Sequence, residues 1–410
     1  MKNKSRIFAW SLFDFANSSY AVIIVAFVFA VYFRTVIAGN ESIGDFYWGL
    51  GINISMIITA VLSPVCGAIT DITFTKKKYL FFFTMISVIG TALMYFTGPG
   101  TVLYALVLFI ISNIGFQTGL ALYDAFIPEI TEEKYYNKVS SIGYAVGYIG
   151  SLISVALVIP LKDDPNTLFV VCAIVFFVFA LPLFLFIKEQ KPIVPQTHGN
   201  LASYGFKKVI GTLKNIRAYP NLGKFLLSFF FYIDAVNTII FFAGIYAAAT
   251  LEFETMQLVI FFLIVQFTAM IGSFLFGFIG DKIGILRSIT INLIFWTGIA
   301  VYIFLFIHKD SYVVIAGNQI HQFFIVGGFA GLFLGSTQSL SRTMMSKLTP
   351  FESKAEFFGF YGLMDKTSTL LGPLTFGVVS ALTGSQNLAV LSIGVFFVIG
   401  IILLQKVKEN

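Results

Sequence analysis

Residues 221–249 read NLGKFLLSFFFYIDAVNTIIFFAGIYAAA, and their only charges are Lys224 and Asp234. A helix needs about 20 apolar residues to cross the hydrocarbon core of a bilayer; this stretch is long enough to do so with tilt. An aspartate near the middle of such a helix costs about 2.5–3.5 kcal/mol on insertion scales, so Asp234 calls for a use or a partner. Asn237 follows three residues on, on the same helical face. The first apolar stretch, 8–37, carries the same pattern as Asp14-x-x-Asn17. Its length and those polar residues distinguish it from a cleavable signal peptide.

Working outward, the first half of the chain holds apolar stretches at about 8–37, 47–70, 79–97, 101–127, 139–160 and 167–187. The second half holds them at about 221–249, 255–280, 287–307, 313–340, 356–382 and 386–405. These are spans one to twelve below. Composition agrees: 58% of the 410 residues are hydrophobic, 49 are Phe and 11% are charged, against about 25% charged in a soluble chain. An ordinary soluble enzyme is excluded, and so is a disordered or fibrous chain. The expected fold is an all-α polytopic membrane protein with 12 transmembrane helices. Cys66 and Cys172 sit in apolar runs and match no metal or redox spacing.

The polar, basic segment 188–220 divides the chain into bundles 1–187 and 221–410. It reads as a plain linker, with a surface-lying helix around Tyr204–Ile216 as the alternative. With the N-terminus in the cytoplasm, 22 of the 26 Lys and Arg fall on cytoplasmic segments and three, Arg34, Lys162 and Lys309, on the other side. That asymmetry places both termini inside and accounts for the net charge of +6 without a nucleic-acid partner.

The halves repeat. Gly67-Ala-Ile-Thr-Asp71, followed by Lys76 to Lys78, closes span two; Gly277-Phe-Ile-Gly-Asp281-Lys282-Ile-Gly284-Ile-Leu-Arg287 closes span eight. Gln117 in span four meets Gln338 in span ten, and Pro128 meets Pro350 beyond them. Six spans per half give the repeats one orientation, the arrangement of parallel-repeat transporters. The two Gly-x-x-x-Asp-basic loops resemble the signature of the major facilitator superfamily, which implies two parallel six-helix repeats in the major facilitator fold. The second copy is the closer match; the first lacks the usual glycine after Asp71, which puts its loop geometry in doubt. Gly67, Asp71, Gly277, Asp281 and Arg287 are then gating candidates, with an ordinary polar turn as the plain alternative.

Four further segments are similar to the vacuole-effluxer-like family, also called the unknown major facilitator family, whose eukaryotic members are linked to autophagy and amino-acid release from vacuoles. They are Trp10-Ser-Leu-Phe-Asp14-Phe-Ala-Asn17-Ser18-Ser-Tyr20, Tyr123-Asp124-Ala-Phe-Ile-Pro128-Glu129, Ser141-Ile-Gly143-Tyr144-Ala-Val-Gly147-Tyr148-Ile-Gly150, and Gln338-Ser-Leu-Ser341-Arg342 with Pro350, Glu356-Phe-Phe-Gly359-Phe-Tyr361, Lys366 and Gly372-Pro373. Asp124 stands where the family usually has Asn.

Within the spans the remaining charges are Asp14, Asp124, Asp234, Asp365 and Lys366. The superfamily resemblance implies that spans one, four, seven and ten line a central cavity. Asp14, Asn17, Tyr20, Asp234 and Asn237 would then hold an ammonium group or cycle a proton, because a carboxyl in apolar surroundings takes up a proton readily. Asp14 could instead anchor Arg6 or act as a cap. Asp365 and Lys366 are adjacent, about 100° apart on a helix, and are expected to pair poorly. Lys366 either binds a substrate carboxylate or forms a structural ion pair. Gln117 and Gln338 bind a zwitterion or join helices. Asp124 gates, by pairing with Lys134, Lys138 or Arg342, or binds substrate. The glycines of spans five and eleven read as packing and bending points. The histidines (His198, His308, His321) are scattered, and no metal or other cofactor is expected.

No phosphate loop and no catalytic signature occurs in the chain, so the expected activity is not that of an enzyme or an ATP-driven pump. The reading is a secondary active transporter for a small polar solute, amino acids or related metabolites, working by alternating access with a proton as coupling ion. Its expected partners are that small molecule and the lipid bilayer; it is expected to act as a monomer, in a bacterial cytoplasmic membrane. The alternatives are an efflux carrier for amphipathic toxic compounds and a non-transporting sensor.

Overall fold

The computed structural model describes residues 4–408 apart from 27, 40, 162, 190–199, 215–217, 316 and 369–370; His198 lies outside the described residues. Among them, eleven helices are long and apolar enough to cross a membrane. Span one is α-helical over Lys4–Tyr20, π-helical over Ala21–Ala26, α-helical again over Val28–Tyr32 and π-helical over Phe33–Ile37. Helices Glu41–Thr73, Lys76–Leu93, Val102–Asp124, Tyr136–Val158 and Pro165–Phe186 form spans two to six. Pro220–Ala249, Thr255–Ile283 and Ile285–Phe306 form spans seven to nine, Gln322–Leu348 span ten and Gln386–Leu404 span twelve. Local chemistry sets several ends: Pro165 opens span six while Asp164 accepts from the Thr167 N–H at 3.1 Å, and Ser385 caps span twelve through Leu388 N–H.

Three expectations are corrected. Span eleven is two helices, Lys354–Thr367 and Leu371–Thr383, rather than one continuous helix over 356–382; the residue before Pro373 is a glycine, and such a pair sustains helix poorly. The stretch 188–220 is not a plain linker, because Leu201–Lys214 is helical and seats Gly205 against Val65 and Ile69 of span two. Span ten starts at Gln322, and the residues before it form an antiparallel hairpin pairing Tyr312–Ile315 with Asn318–His321. Gly317 there has φ +81°, as tight hairpin turns require. The hairpin also joins two of the histidines: a ring nitrogen of His321, Nε2, lies 3.0 Å from the His308 carbonyl.

By contact the chain forms two units: Met1–Val139 with Val146–Asn215 and Thr349–Leu363, and Ser140–Ala145 with Ile216–Leu348 and Met364–Asn410. In the first, Trp10 stacks on Tyr123 at 4.6 Å and donates its indole N–H to the Tyr123 carbonyl at 3.2 Å. In the second, spans eight and ten approach until backbones touch: a Cβ on Gly272 would strike Leu332 O, and one on Gly335 would strike Ala269 O. Lipid tails are as apolar as leucine, so glycines that let backbones meet replace hydrophobic drive between membrane helices. Paired polar groups add to this in each unit, with Asn113 donating to Ser55 and Asn292 to Ser336, both at 2.7 Å.

Candidate functional site

In the first unit Asp14 and Asn17 are buried, and Asn17 Nδ2 donates to Asp14 Oδ1 at 3.4 Å. Span five passes close by, where a Cβ on Gly147 would lie 3.2 Å from Ser18 Oγ and 3.5 Å from Asp14 Cβ. Tyr20 does not continue this polar face. It is fully buried in the bundle, its hydroxyl 2.8 Å from Ser112 and its ring against Phe116. Gln117 is buried, with Oε1 unpartnered among the described residues. Asp124 ends the span-four helix, half-buried.

The second unit wires the same motif differently. Asn237 Nδ2 donates not to Asp234 but to Asp365 Oδ1 at 3.4 Å, and the other oxygen of Asp365 pairs with Lys366 Nζ at 2.6 Å. The expectation that these neighbours pair poorly is thus corrected. They end the first helix of span eleven, and a four-carbon lysine stem is long enough to fold back over the preceding residue. Asp234 is fully buried with no ionic partner among the described residues; the Gly372 N–H and the Thr238 hydroxyl are set against its carboxyl, short of good hydrogen-bond geometry. Gly372 is on the second helix of span eleven, and a Cβ there would meet Thr238 Oγ1 and lie 2.7 Å from Asp234 Oδ1. Gln338 is half-buried on span ten.

The role of Thr238 was missed from sequence, although it stands four residues after Asp234 as Ser18 stands after Asp14. Gly372 reads in the sequence as a packing and bending point; its side-chain-free surface is what admits the Asp234 carboxyl.

The Gly-x-x-x-Asp loops also divide. Asp71 caps the first helix of span eleven: its two oxygens accept from the backbone N–H groups of Ala355 and Glu356 at 3.0 and 2.9 Å. A carboxylate at a helix N-terminus complements the free amides and the dipole there. Gly67 makes the approach possible, since a Cβ there would strike Ala355 O. Lys76 is buried behind, 3.9 Å from Asp71 and 2.6 Å from Glu129. The doubtful loop geometry resolves as follows: Phe74, three residues after Asp71, takes φ +54°, as Gly284, three after Asp281, takes φ +92°.

In the second copy Asp281 and Arg287 are exposed. Gly277 meets Ser141, a Cβ there lying 2.8 Å from Ser141 Cβ. Nearby in the same unit, the buried guanidinium of Arg342 donates through Nε to Ser140 Oγ at 3.0 Å and through a terminal nitrogen to Ser140 O at 2.8 Å. It also lies 4.0 Å from the Tyr144 ring centroid. Of the lysines considered for Asp124, Lys134 pairs instead with Glu132 at 2.7 Å on the surface.

Solved structures share this architecture. The human organic anion transporter MFSD10 (TETRAN) superimposes with a TM-score of 0.78 at 12% identity, over 99% of this chain and 100% of that one. The proton:xylose symporter XylE of the major facilitator superfamily gives 0.74 at 14% identity, over 99% and 96%. The fold is therefore that of the major facilitator superfamily. Residues 49–410 match the family described as vacuole effluxer Atg22 like, and the chain belongs to that family. It is also 31% identical over 418 residues to the MFS-type transporter YxiO of Bacillus subtilis (strain 168), covering 98% of this chain and 94% of that protein.

Proposed function

We propose that the protein is a proton-coupled secondary active transporter for amino acids or related small polar metabolites. Bundles 1–187 and 221–410, joined through 188–220, alternate access to the solute, and Asp234 carries the coupling proton. One observation carries this reading: Asp234 is a fully buried carboxyl with no ionic partner among the described residues, and the groups set against it, the Gly372 N–H and the Thr238 hydroxyl, are neutral. Burying an ionised carboxylate without compensation costs far more than burying a neutral one, so the group is suited to exchange a proton each time its surroundings change. The residues proposed to meet the solute are Asn237, Asp365 and Lys366 in the second unit and, in the first, Asp14, Asn17 and Gln117. Within the second unit the Asp365–Lys366 pair and the Asn237 amide offer exchangeable partners for the two ends of a zwitterion. Asp71, Arg342 and the glycines Gly67 and Gly277 serve the gate. The distribution of Lys and Arg supports cytoplasmic termini, a bacterial cytoplasmic membrane is the proposed location, and the working form is a monomer.

A thermal-shift screen of the purified protein against amino acids, peptides, nucleosides and hydrophobic cations identifies the solute class. Uptake of the stabilising solute into proteoliposomes under an imposed pH gradient then tests coupling. Wild type accumulates solute, and Asp234→Asn does not; full pH-driven uptake by Asp234→Asn sinks the coupling role.

A second reading, efflux of amphipathic compounds, draws on an apolar cavity of about 490 Å³ in the second unit, lined by residues that include Phe295, Tyr302, Phe329 and Phe333. Stabilisation by hydrophobic cations and not by amino acids favours it.

A further inference from the structure

The helix Leu201–Lys214, LASYGFKKVIGTLK, has three lysines and no acidic residue. At about 100° per residue, its side chains fall into three stripes. Gly205 and Thr212 lie within about 20° of each other and are buried: Gly205 against Val65 and Ile69 of span two, and Thr212 facing the Glu356 carboxylate on the first turn of span eleven. Lys207 and Lys214, also within about 20° of each other, point the opposite way and are exposed. Between these stripes lie Phe206 and Ile210, 47% and 50% exposed.

A face with apolar side chains bounded by lysines is the pattern of a helix lying in the plane of a membrane interface. The position of the seat selects a bilayer over a soluble partner. Val65 and Ile69 lie within the membrane-spanning stretch Phe46–Thr73 and not beyond its end, and Val61, one turn before Val65, is 51% exposed. A helix docked at that level turns its free apolar stripe toward the same medium that covers the span.

We propose that this helix binds the bilayer: Phe206 and Ile210 enter the acyl boundary, and Lys207 and Lys214 hold anionic phospholipid headgroups. Under the orientation given in Proposed function, these belong to the cytoplasmic leaflet, where anionic lipids attract basic segments. Because Thr212 faces Glu356, whose backbone N–H is held by Asp71, lipid engagement is tied to the docking of the first turn of span eleven.

The two native cysteines are buried, so a thiol introduced as Ile210→Cys is the reactive one for a bimane label. The full-length protein is placed in nanodiscs of phosphatidylcholine with or without phosphatidylglycerol. The label is then challenged with brominated acyl chains and with aqueous iodide. The expected result is quenching by the bromines and protection from iodide. Native mass spectrometry gives the second reading: the double variant Lys207→Gln/Lys214→Gln should retain less phosphatidylglycerol, by about fivefold per lysine, the equivalent of about 1 kcal/mol each. Quenching by iodide in both lipids would place the stripe in water, and shielding from both quenchers would place it against protein; either overturns the proposal. Unchanged retention in the double variant overturns the headgroup assignment.

Discussion

The two halves carry the same five-residue device, Asp-x-x-Asn followed by Ser or Thr, against a glycine of the fifth span in each repeat, yet they complete it in opposite ways. In the first half Asn17 turns back to its own Asp14. In the second, Asn237 reaches out to Asp365, and Asp234 is left to the Gly372 N–H and the Thr238 hydroxyl. The cause lies in the partner helix. Span five runs unbroken from Tyr136 to Val158, whereas span eleven is divided into Lys354–Thr367 and Leu371–Thr383. The last turn of its first piece carries the acid–lysine pair that takes the asparagine, and the first turn of its second carries the glycine that faces the aspartate. A repeated motif therefore repeats a helical face but not its partners.

The largest effect that could break this comparison is on coupling. Asp234→Asn should abolish pH-gradient-driven accumulation in proteoliposomes, whereas Asp14→Asn, which keeps an amide beside Asn17, should leave accumulation driven by pH intact at a reduced rate. Equal losses in both variants would mean that the halves share the role.

The glycines come next. Gly372→Ala forces a methyl group into Thr238 Oγ1 and Asp234 Oδ1 and should destabilise by about 3 kcal/mol, the upper end for overpacking. Gly147→Ala meets its nearest atoms at 3.2–3.5 Å and should cost about 1 kcal/mol. Thermal unfolding in detergent reads the difference, and an equal fall in Tm removes the distinction drawn between the two glycines.

Much of this was open to reading in the sequence. Hydropathy and the Lys/Arg count identified the spans, and the 220-residue echo from Asp14 to Asp234 singled out both aspartates, because charge in an apolar run is expensive wherever the helix packs. What stayed hidden depended on tertiary partners. Asn17 and Asn237 are the same residue at the same spacing, so nothing local tells which one turns back. The break after Thr367 had only the Gly372-Pro373 pair as a signal. The hairpin before Gln322 was absorbed into span ten because Tyr312–Ile315 is as apolar as a helix end. The missing glycine in the first Gly-x-x-x-Asp loop put its geometry in doubt, yet Asp71 in that poorer copy grips a helix N-terminus.

That loop gives two smaller tests. Asp71→Asn removes charge-assisted bonds to two backbone amides and should cost about 2 kcal/mol, read as a fall in Tm. Phe74 is 40% exposed and left-handed at φ +54°, a conformation that costs a side-chain-bearing residue about 1 kcal/mol. Phe74→Gly should therefore raise stability slightly, while Gly284→Phe should lower it. A marked loss in Phe74→Gly would show that packing of the ring outweighs the backbone strain.

The central claim is that the Asp234 carboxyl of the second half, and not the amide-paired Asp14 of the first, carries a proton. Dicyclohexylcarbodiimide reacts with protonated carboxyls in apolar surroundings, so peptide mass spectrometry of the treated wild-type protein tests this without knowledge of the solute. The account predicts an adduct on Asp234 at neutral pH that fades as pH rises, is unaffected by sodium and is absent from Asp14. An adduct on Asp14 with none on Asp234, or labelling of Asp234 that sodium blocks at constant pH, would contradict it.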